Sequence, residues 1–594
     1  ILIVFNTFFF PEIIVEDEDT KQTTETIIQP ETESSKITSE TVPIINDSLV
    51  NEELKLTYGV FANTAIGEEK FEVIENDKLK ITVANKGGRI TSVILKEYQT
   101  FDSLALDLFD ADSSRFNLQF TTGHNINTAD LYFVSEQRNN TLSMKLKADD
   151  SHYVEYLYTV TDDYLIDFDI NFVGMENIIP SGVNYMNLEW QMKTPQTEKS
   201  KTNQDMYTGL QYQYSADNEV DYLSFTSTDD DKINARLNWV AFKQQFFSAI
   251  FIAKDGFEKP TYLTSTKSEG SKFIKDLAAK FELPYSHKRD EQLSFQFYFG
   301  PNHYKTLESY NSGFEELVPL GWGIFGWVNQ YIIINLFDFL SKYFSSYGII
   351  ILLLTLIIKL GLSPFTYKAF LSQAKMKVLK PEIDKITEKN KGKDQMKTQQ
   401  ETMALYRKAG VNPMGGCLPM LFQFPILIAM FRFFPASIEL RQKSFLWATD
   451  LSTYDDVIRW SGEIPLISSI LGNHLSIFTL LMAISTLMYT MMNQSMTASN
   501  SQMPQMKYIM YAMPVMMFFW FNSYASGLSY YYLVANVITF TQQWIIRKTV
   551  DDEAIHAKLK ANKDKPKKKK SKFQEQLEEM SKKQGRRGIR QAKK

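Results

Sequence analysis

The run "ILLLTLIIKLGLSPFTYK" (residues 351–368) reads as the end of a membrane-spanning helix, except that Lys359 interrupts it while the chain is still apolar. A lysine in mid-span costs roughly 3 kcal/mol on insertion scales, so it needs either an escape route or polar company. The escape is short: Lys359 lies five residues before Pro364, and its ammonium could snorkel to the headgroups. The other reading starts from helix geometry. Residues four apart share a face, which puts Thr355, Lys359 and Ser363 on one polar stripe.

Other helices answer that stripe. Apolar segments at 348–363, 415–436, 475–492, 508–521 and 528–546 make five spans. In the last of them Tyr532, Asn536, Thr539 and Gln543 follow at steps of four, three and four, which is again one face. Thr479, Thr486, Thr490 and Asn493 do the same more weakly, and Gln423 sits between Pro419 and Pro425. Interhelical packing, with hydrogen bonds of about 0.6–1 kcal/mol each, is the plainer account of any one stripe. Their coincidence predicts convergence on a wet, polar cavity with one positive charge. Arg432, in "IAMFRFFP", is a second charge within a span and is expected to snorkel outward.

Charge orients the bundle. Residues 368–408 carry eleven Lys and Arg, whereas 437–474 carry three and are net acidic. The positive-inside rule then places the 367–413 loop and the C-terminal tail in the cytoplasm, and the region before the bundle outside. Within 367–413, Met376, Leu379, Ile383 and Ile386 form a helical stripe and a second helix follows over 394–410, so the loop reads as a helical hairpin. Methionines 482, 488, 491, 492, 496, 503, 506, 510, 513, 516 and 517 flank the 493–507 loop. They suit either plain core filling or a surface that adapts to many apolar partners. The basic tail (548–594) predicts contact with phosphate polyanions, for which anionic lipid and ribosomal RNA are both candidates.

The N-terminal half has another texture. "ILIVFNTFFF" (1–10) has ten residues where a span needs about 20, and reads as the clipped remnant of a first transmembrane helix, with a trimmed signal peptide as the alternative. Residues 11–56 are acidic and poor in apolar side chains, as expected of a flexible linker. From 57 to 312 short alternating runs such as "DYLIDFDINFV" (163–173) predict a large antiparallel β-sandwich, and Lys86-Gly87-Gly88 predicts a tight hairpin. Residues 313–347 mix Trp322, Trp327 and Tyr331 with Asn329, Asn335 and Asp338, the composition of an amphipathic helix lying in the headgroup layer.

Composition offers no catalytic chemistry. The 594 residues include one cysteine, Cys417, and six histidines without an HExxH pair, and no Gly-rich phosphate loop or GxSxG is present.

Three stretches carry a resemblance. "VNPMGGCLPMLFQFPILIAMF" (411–431), "SIELRQKSFLWATDLS" (437–452) and "ASGLSYYYLVANVITFTQQWII" (525–546) closely resemble the YidC/Oxa/Alb membrane protein insertases. "ANKGGRITSVILKEY" and "NWVAFKQQFFSAIFIA" resemble the periplasmic domain of the family's Gram-negative members. The resemblance implies a non-enzymatic insertase of the bacterial inner membrane with a five-helix core at 348–547. It implies no cofactor and no metal. Implied partners are nascent membrane proteins, the Sec translocon, the ribosome and anionic lipids. It also implies a hydrophilic groove bearing an arginine, and Lys359 stands at that position with Thr355 one turn before it. Tyr531 and Tyr532 match a tyrosine pair associated with substrate contact. Lysine keeps the charge but lacks the planar fork that grips a carboxylate with two bonds.

Overall fold

The structure, a computed structural model, describes residues 47–268, 270, 272–390, 395–412, 418–462, 464–465, 467–494, 504–550 and 552–563. The expected helix remnant at 1–10, the linker up to residue 46, Cys417 and the tail from 564 onward lie outside the described residues. Helix α1 (Asp47–Tyr58) occupies the end of the stretch read as linker.

The β-domain is an antiparallel sandwich, as the alternation predicts. A nine-stranded sheet contains Tyr153–Val160, Leu165–Val173, Leu237–Lys243, Phe247–Phe257 and Asp290–Pro301, and a six-stranded sheet contains Tyr185–Pro195 and Phe273–Pro284. In Tyr153–Val160 and Leu165–Val173 every second side chain is buried, the period of a pleated strand. Trp190 of the six-stranded sheet stacks 3.8 Å from Phe242 of the nine-stranded one, and Phe168, Phe251 and Phe297 continue the aromatic core. A smaller four-stranded sheet begins at Phe71. Its Leu79–Ala84 and Ile90–Gln99 strands pair across the predicted hairpin, where Gly87 and Gly88 take φ of 80° and 59°.

Two short helices, α2 (Lys201–Tyr207) and α3 (Tyr304–Ser309), stand on the β-domain. The segment expected to lie in the headgroup layer forms α4 (Gly323–Val328), a π turn (Asn329–Ile333) and α5 (Ile334–Ser341). Phe325, Val328, Ile333 and Phe337 face inward, while Trp327, Tyr331, Phe339 and Tyr343 are exposed. Asn329, fully buried, donates to Leu320 O at 2.7 Å and to Ala429 O at 2.8 Å, which ties the segment to the apolar helix Leu418–Ala436.

The helical core comprises α6 (Tyr347–Val378), then α7 (Lys380–Lys389) and α8 (Gln395–Ala409) of the hairpin, α9 (Leu418–Ala436), the short α10 (Ile467–Leu471), α11 (Ile477–Gln494), α12 (Pro504–Phe521), α13 (Ser526–Thr549) and α14 (Asp552–Lys563). Helices α6, α9, α11, α12 and α13 are the five expected spans. By length and composition α6 is, among the described residues, the one helix long and apolar enough to cross a membrane, with shorter apolar stretches at Leu421–Ala436, Ile477–Met492 and Ile509–Phe521.

One boundary is corrected. The first of these spans does not stop at 363: Pro364 lies inside α6, which runs on into the loop read as beginning at 367. Packing explains the continuation. Phe365 meets Phe422 of α9 at 4.5 Å, and Phe370 is buried against Ile546 of α13, so the turns beyond the proline have partners that offset one missing backbone bond. The hairpin also has a core of its own: Ala374, Met376, Leu379, Ile383, Tyr406, Ala409 and Val411 enclose Ile555 and Leu559 of α14.

The β-domain and the helical core are joined by buried polar contacts. Asn203 of α2 donates to Ser523 O at 2.9 Å, and Gln245 donates to Pro435 O at 2.8 Å. Lys199 pairs with Asp456 at 2.7 Å. Arg441 donates from Nε to both carboxylate oxygens of Glu198 at 3.0 Å, and burial pushes that carboxyl up to about 7 against the pull of Arg441. Behind α2, Lys243 donates to Tyr207 O at 3.0 Å, and burial brings its ammonium down to about 7.

Candidate functional site

The stripe through Thr355, Lys359 and Ser363 faces α9 and α13. Lys359 is buried, with its side chain directed into the bundle and not toward the headgroups. Its Nζ donates to Thr539 Oγ1 of α13 at 3.0 Å and to Gln423 Oε1 of α9 at 3.4 Å. The Thr539 hydroxyl in turn donates to Ala535 O at 2.7 Å, so its lone pairs face the lysine. Three helices thus meet on one ammonium, and among the described residues no carboxylate pairs with it.

Around this centre the predicted residues divide. Gln543 is buried one turn from Thr539, and Ser363 is half-buried one turn from Lys359. Asn536 turns to the neighbouring helix α11, donating to Ser485 Oγ at 2.9 Å and Thr486 Oγ1 at 3.0 Å. Thr355 is fully buried, but its hydroxyl donates to Ile351 O of its own helix at 2.6 Å and adds nothing to the lysine. Tyr531 and Tyr532 do not join the cluster. They form an aromatic layer nearer the β-domain, Tyr531 beside Phe434 at 5.8 Å and Tyr532 beside Phe521 at 6.2 Å.

Two participants escape sequence reasoning. Gln542 donates to Lys359 O at 3.1 Å, although it lies off the stripe that contains Gln543. Ser485 precedes Thr486, the residue the spacing singles out, and shares its partner. A scan that admits the neighbours of each stripe residue would have included both.

Toward the β-domain buried polar contacts tie the helix ends together. Asp455 caps α11, accepting from Ile477 N at 2.8 Å, Phe478 N at 3.2 Å and the Ser476 hydroxyl. Thr479 bonds Ser529 of α13 at 2.9 Å, both side chains being fully buried. Arg432, expected to snorkel, lies at this end with its guanidinium carbon 5.5 Å from the Trp322 ring centre.

The comparisons with known proteins agree along the chain. The family model described as "60Kd inner membrane protein" matches residues 339–554, and the one described as "YidC periplasmic domain" matches residues 73–334. The membrane protein insertase YidC of Parabacteroides distasonis is 42% identical over 567 residues, covering 93% of this chain and 89% of that protein. The chain belongs to the YidC membrane protein insertase family. The YidC insertase of Bacteroides fragilis strain YCH46 is 43% identical over 539 residues, covering 88% of this chain and 86% of its own. That of Porphyromonas gingivalis strain ATCC 33277 is 41% identical over 545 residues, at 89% and 86%. The relatives are named for insertion, a non-enzymatic activity, in keeping with a YidC-type chain whose motifs offer no catalytic centre.

Proposed function

We propose that this chain inserts newly made proteins sideways into the bacterial inner membrane and helps them fold, alone or with the Sec translocon, through a hydrophilic groove centred on Lys359. The observation that carries this reading is a buried ammonium on α6 with neutral partners on α9 and α13. Two of its three donors are placed on Thr539 and Gln423, and the third is available to a carboxylate. At about 4 Å and an effective dielectric near 20, such a pair attracts by about 4 kcal/mol, enough to hold an acidic segment transiently and too little to trap it once rehydrated.

In this mechanism Ser363, Gln423, Asn536, Thr539 and Gln543 hydrate the hydrophilic segment being moved, and Thr355, its hydroxyl bonded to Ile351 O, lies on the same face as Lys359. Tyr531 and Tyr532 contact the substrate's apolar helix, which slides along the lipid-facing mouth. The β-domain stands in the periplasm. The hairpin and the C-terminus stand in the cytoplasm, where the basic tail receives the ribosome or anionic lipid. The charge asymmetry between 368–408 and 437–474 supports that orientation.

Site-specific photo-crosslinking from positions 355, 359, 423 and 532 to a stalled nascent membrane protein tests the reading. Crosslinks from the inward positions are expected, and their complete absence in a folded, ribosome-engaged chain would contradict it.

A further inference from the structure

The chain between α9 and α11 is arranged inside out. Among its described residues Val457, Ile458, Ile464, Ile467 and Ile470 are 42–52% exposed, while Asp455, His474 and Ser476 are buried. Ile467 and Ile470 stand three apart on α10 and share one face. A stretch this short that shows water five branched aliphatic side chains marks a surface made for another medium or another molecule.

Hydrogen bonds hold the arrangement. The Ser468 hydroxyl accepts from Trp460 Nε1 at 3.1 Å and from Ile464 N at 2.9 Å, which ties α10 back to the strand Ile458–Arg459. That strand pairs with His474–Leu475. Asn522, fully buried, donates to Leu471 O and His474 O, both at 2.9 Å, and accepts from Ser476 N at 2.9 Å. The His474 ring stacks on Tyr454 at 3.8 Å. The polar groups that shape the loop are thus spent within the protein, and the aliphatic groups left outside offer no directional bond. Hydrocarbon makes that demand of any segment it surrounds, whereas a protein partner is recognised by a rim of polar contacts as well.

The place of the loop points the same way. Helix α11 begins two residues after Leu475, and α12 ends at Phe521, immediately before Asn522. Each has 18 residues, about 27 Å at 1.5 Å per residue, against a hydrocarbon core of about 30 Å. The chain that joins these two ends on the β-domain's side therefore starts at the depth of the acyl chains. Arg459 adds a charge suited to lipid phosphate: its side chain is 74% exposed, with Asp456 no nearer than 3.7 Å.

We infer that this loop is a membrane-dipping anchor, in which Val457, Ile458, Ile464, Ile467 and Ile470 enter the acyl chains of the leaflet on the β-domain's side. The anchor goes beyond the insertion reading, and its test measures depth in lipid without measuring insertion. The full chain with Cys417→Ser carries Ile467→Cys labelled with an environment-sensitive fluorophore, in liposomes of phosphatidylethanolamine and phosphatidylglycerol. Ile484→Cys, exposed on α11, is the reference inside the bilayer, and Asp150→Cys, on an exposed turn of the β-domain, is the reference in water.

The label at 467 is expected to be quenched by lipid brominated near the headgroup end of its chains about twice as strongly as by lipid brominated near the methyl end. Iodide should quench it no more than about a third as well as the label at 150. Ile464→Asp combined with Ile470→Asp should raise iodide quenching at 467 about threefold, and Ile464→Leu combined with Ile470→Leu should leave it as it was. A label at 467 open to iodide and untouched by brominated lipid, with 484 quenched, overturns the anchor. Shielding of 467 from both quenchers overturns it too, in favour of contact with a second copy of the chain. Loss of insertion in a chain whose label at 467 behaves as described counts against the proposed function and leaves the anchor standing.

Discussion

Lys359 and Thr539 lie 180 residues apart in sequence and 3.0 Å apart in space, the ammonium donating to a hydroxyl whose own proton is committed to Ala535 O. The pair joins α6 to α13 through a charge with no counter-ion among the described residues. If the charge acts by its field, Lys359→Arg keeps insertion within about twofold. Lys359→Glu lowers it about tenfold for substrates whose translocated segment is acidic, a change of about 1.4 kcal/mol. Pulse-chase protease protection at matched protein levels measures both, and unchanged insertion by Lys359→Glu would sink the electrostatic role.

The same contact is measurable as stability. Lys359→Met, Thr539→Val and the double variant form a cycle whose coupling is expected at about 0.5–1.5 kcal/mol. Thermal unfolding in detergent reads it, and additive effects would show that the two side chains do not interact.

Asn329 holds the interfacial segment by two carbonyls at 2.7 and 2.8 Å. Asn329→Leu keeps the volume and leaves those two oxygens without their donor, at an expected cost of about 1–3 kcal/mol. Hydrogen exchange over 323–341 should speed up, while exchange in the β-domain stays as it was. Equal protection in both chains would refute the tie.

The β-domain has a pH signature. Burial lowers the Lys243 ammonium to about 7, so between that value and its unfolded value near 10.5 the unfolded chain binds one more proton than the folded one. Stability therefore rises with pH across that window, by at most about 1.4 kcal/mol per unit from this group, and the penalty is fully present below 7. Lys243→Met removes the slope. The melting temperatures of the two chains should differ most at and below pH 7 and converge toward pH 10, and a difference constant from pH 7 to 10 would exclude Lys243 as the source.

Where the tail is cut matters. Ile555 and Leu559 belong to the hairpin's core, so a truncation after Lys563 removes only the net-basic stretch beyond it, whereas one before Ile555 opens the core. The first should weaken ribosome co-sedimentation with a salt-dependent slope and leave the melting temperature unchanged. The second should also expose 374–383 to hydrogen exchange. Unchanged co-sedimentation after the first cut would point to a lipid contact for the tail.

Much of this was legible because spacing is a local property. Steps of three and four named Lys359 and Thr539 for their faces, and alternation named the sandwich whose Tyr153–Val160 strand buries every second residue. What escaped depends on distant partners. Pro364 carries a strong local signal to stop, which the contacts of Phe365 and Phe370 override. Ile555 and Leu559 are two apolar residues in a basic stretch, too few to announce a docked helix. Arg441 in a short loop gives no hint of Glu198, since nothing in either neighbourhood requires the other. Thr355 shows the reverse failure: the right face, but a hydroxyl spent on its own helix.

The unbroken course of α6 through Pro364 makes it a lever. Its 32 residues span about 48 Å, held at the Tyr347 end where the Phe445 ring lies against Gly348 and packed at the hairpin end through Phe370, Ala374 and Met376. Lys359 sits about two-fifths of the way from that pivot. A swing of about 5 Å at the hairpin end therefore moves the charged residue by about 2 Å, the difference between holding and releasing Thr539. The packing of the hairpin and a single hydrogen bond in the bundle are thus set on one continuous helix.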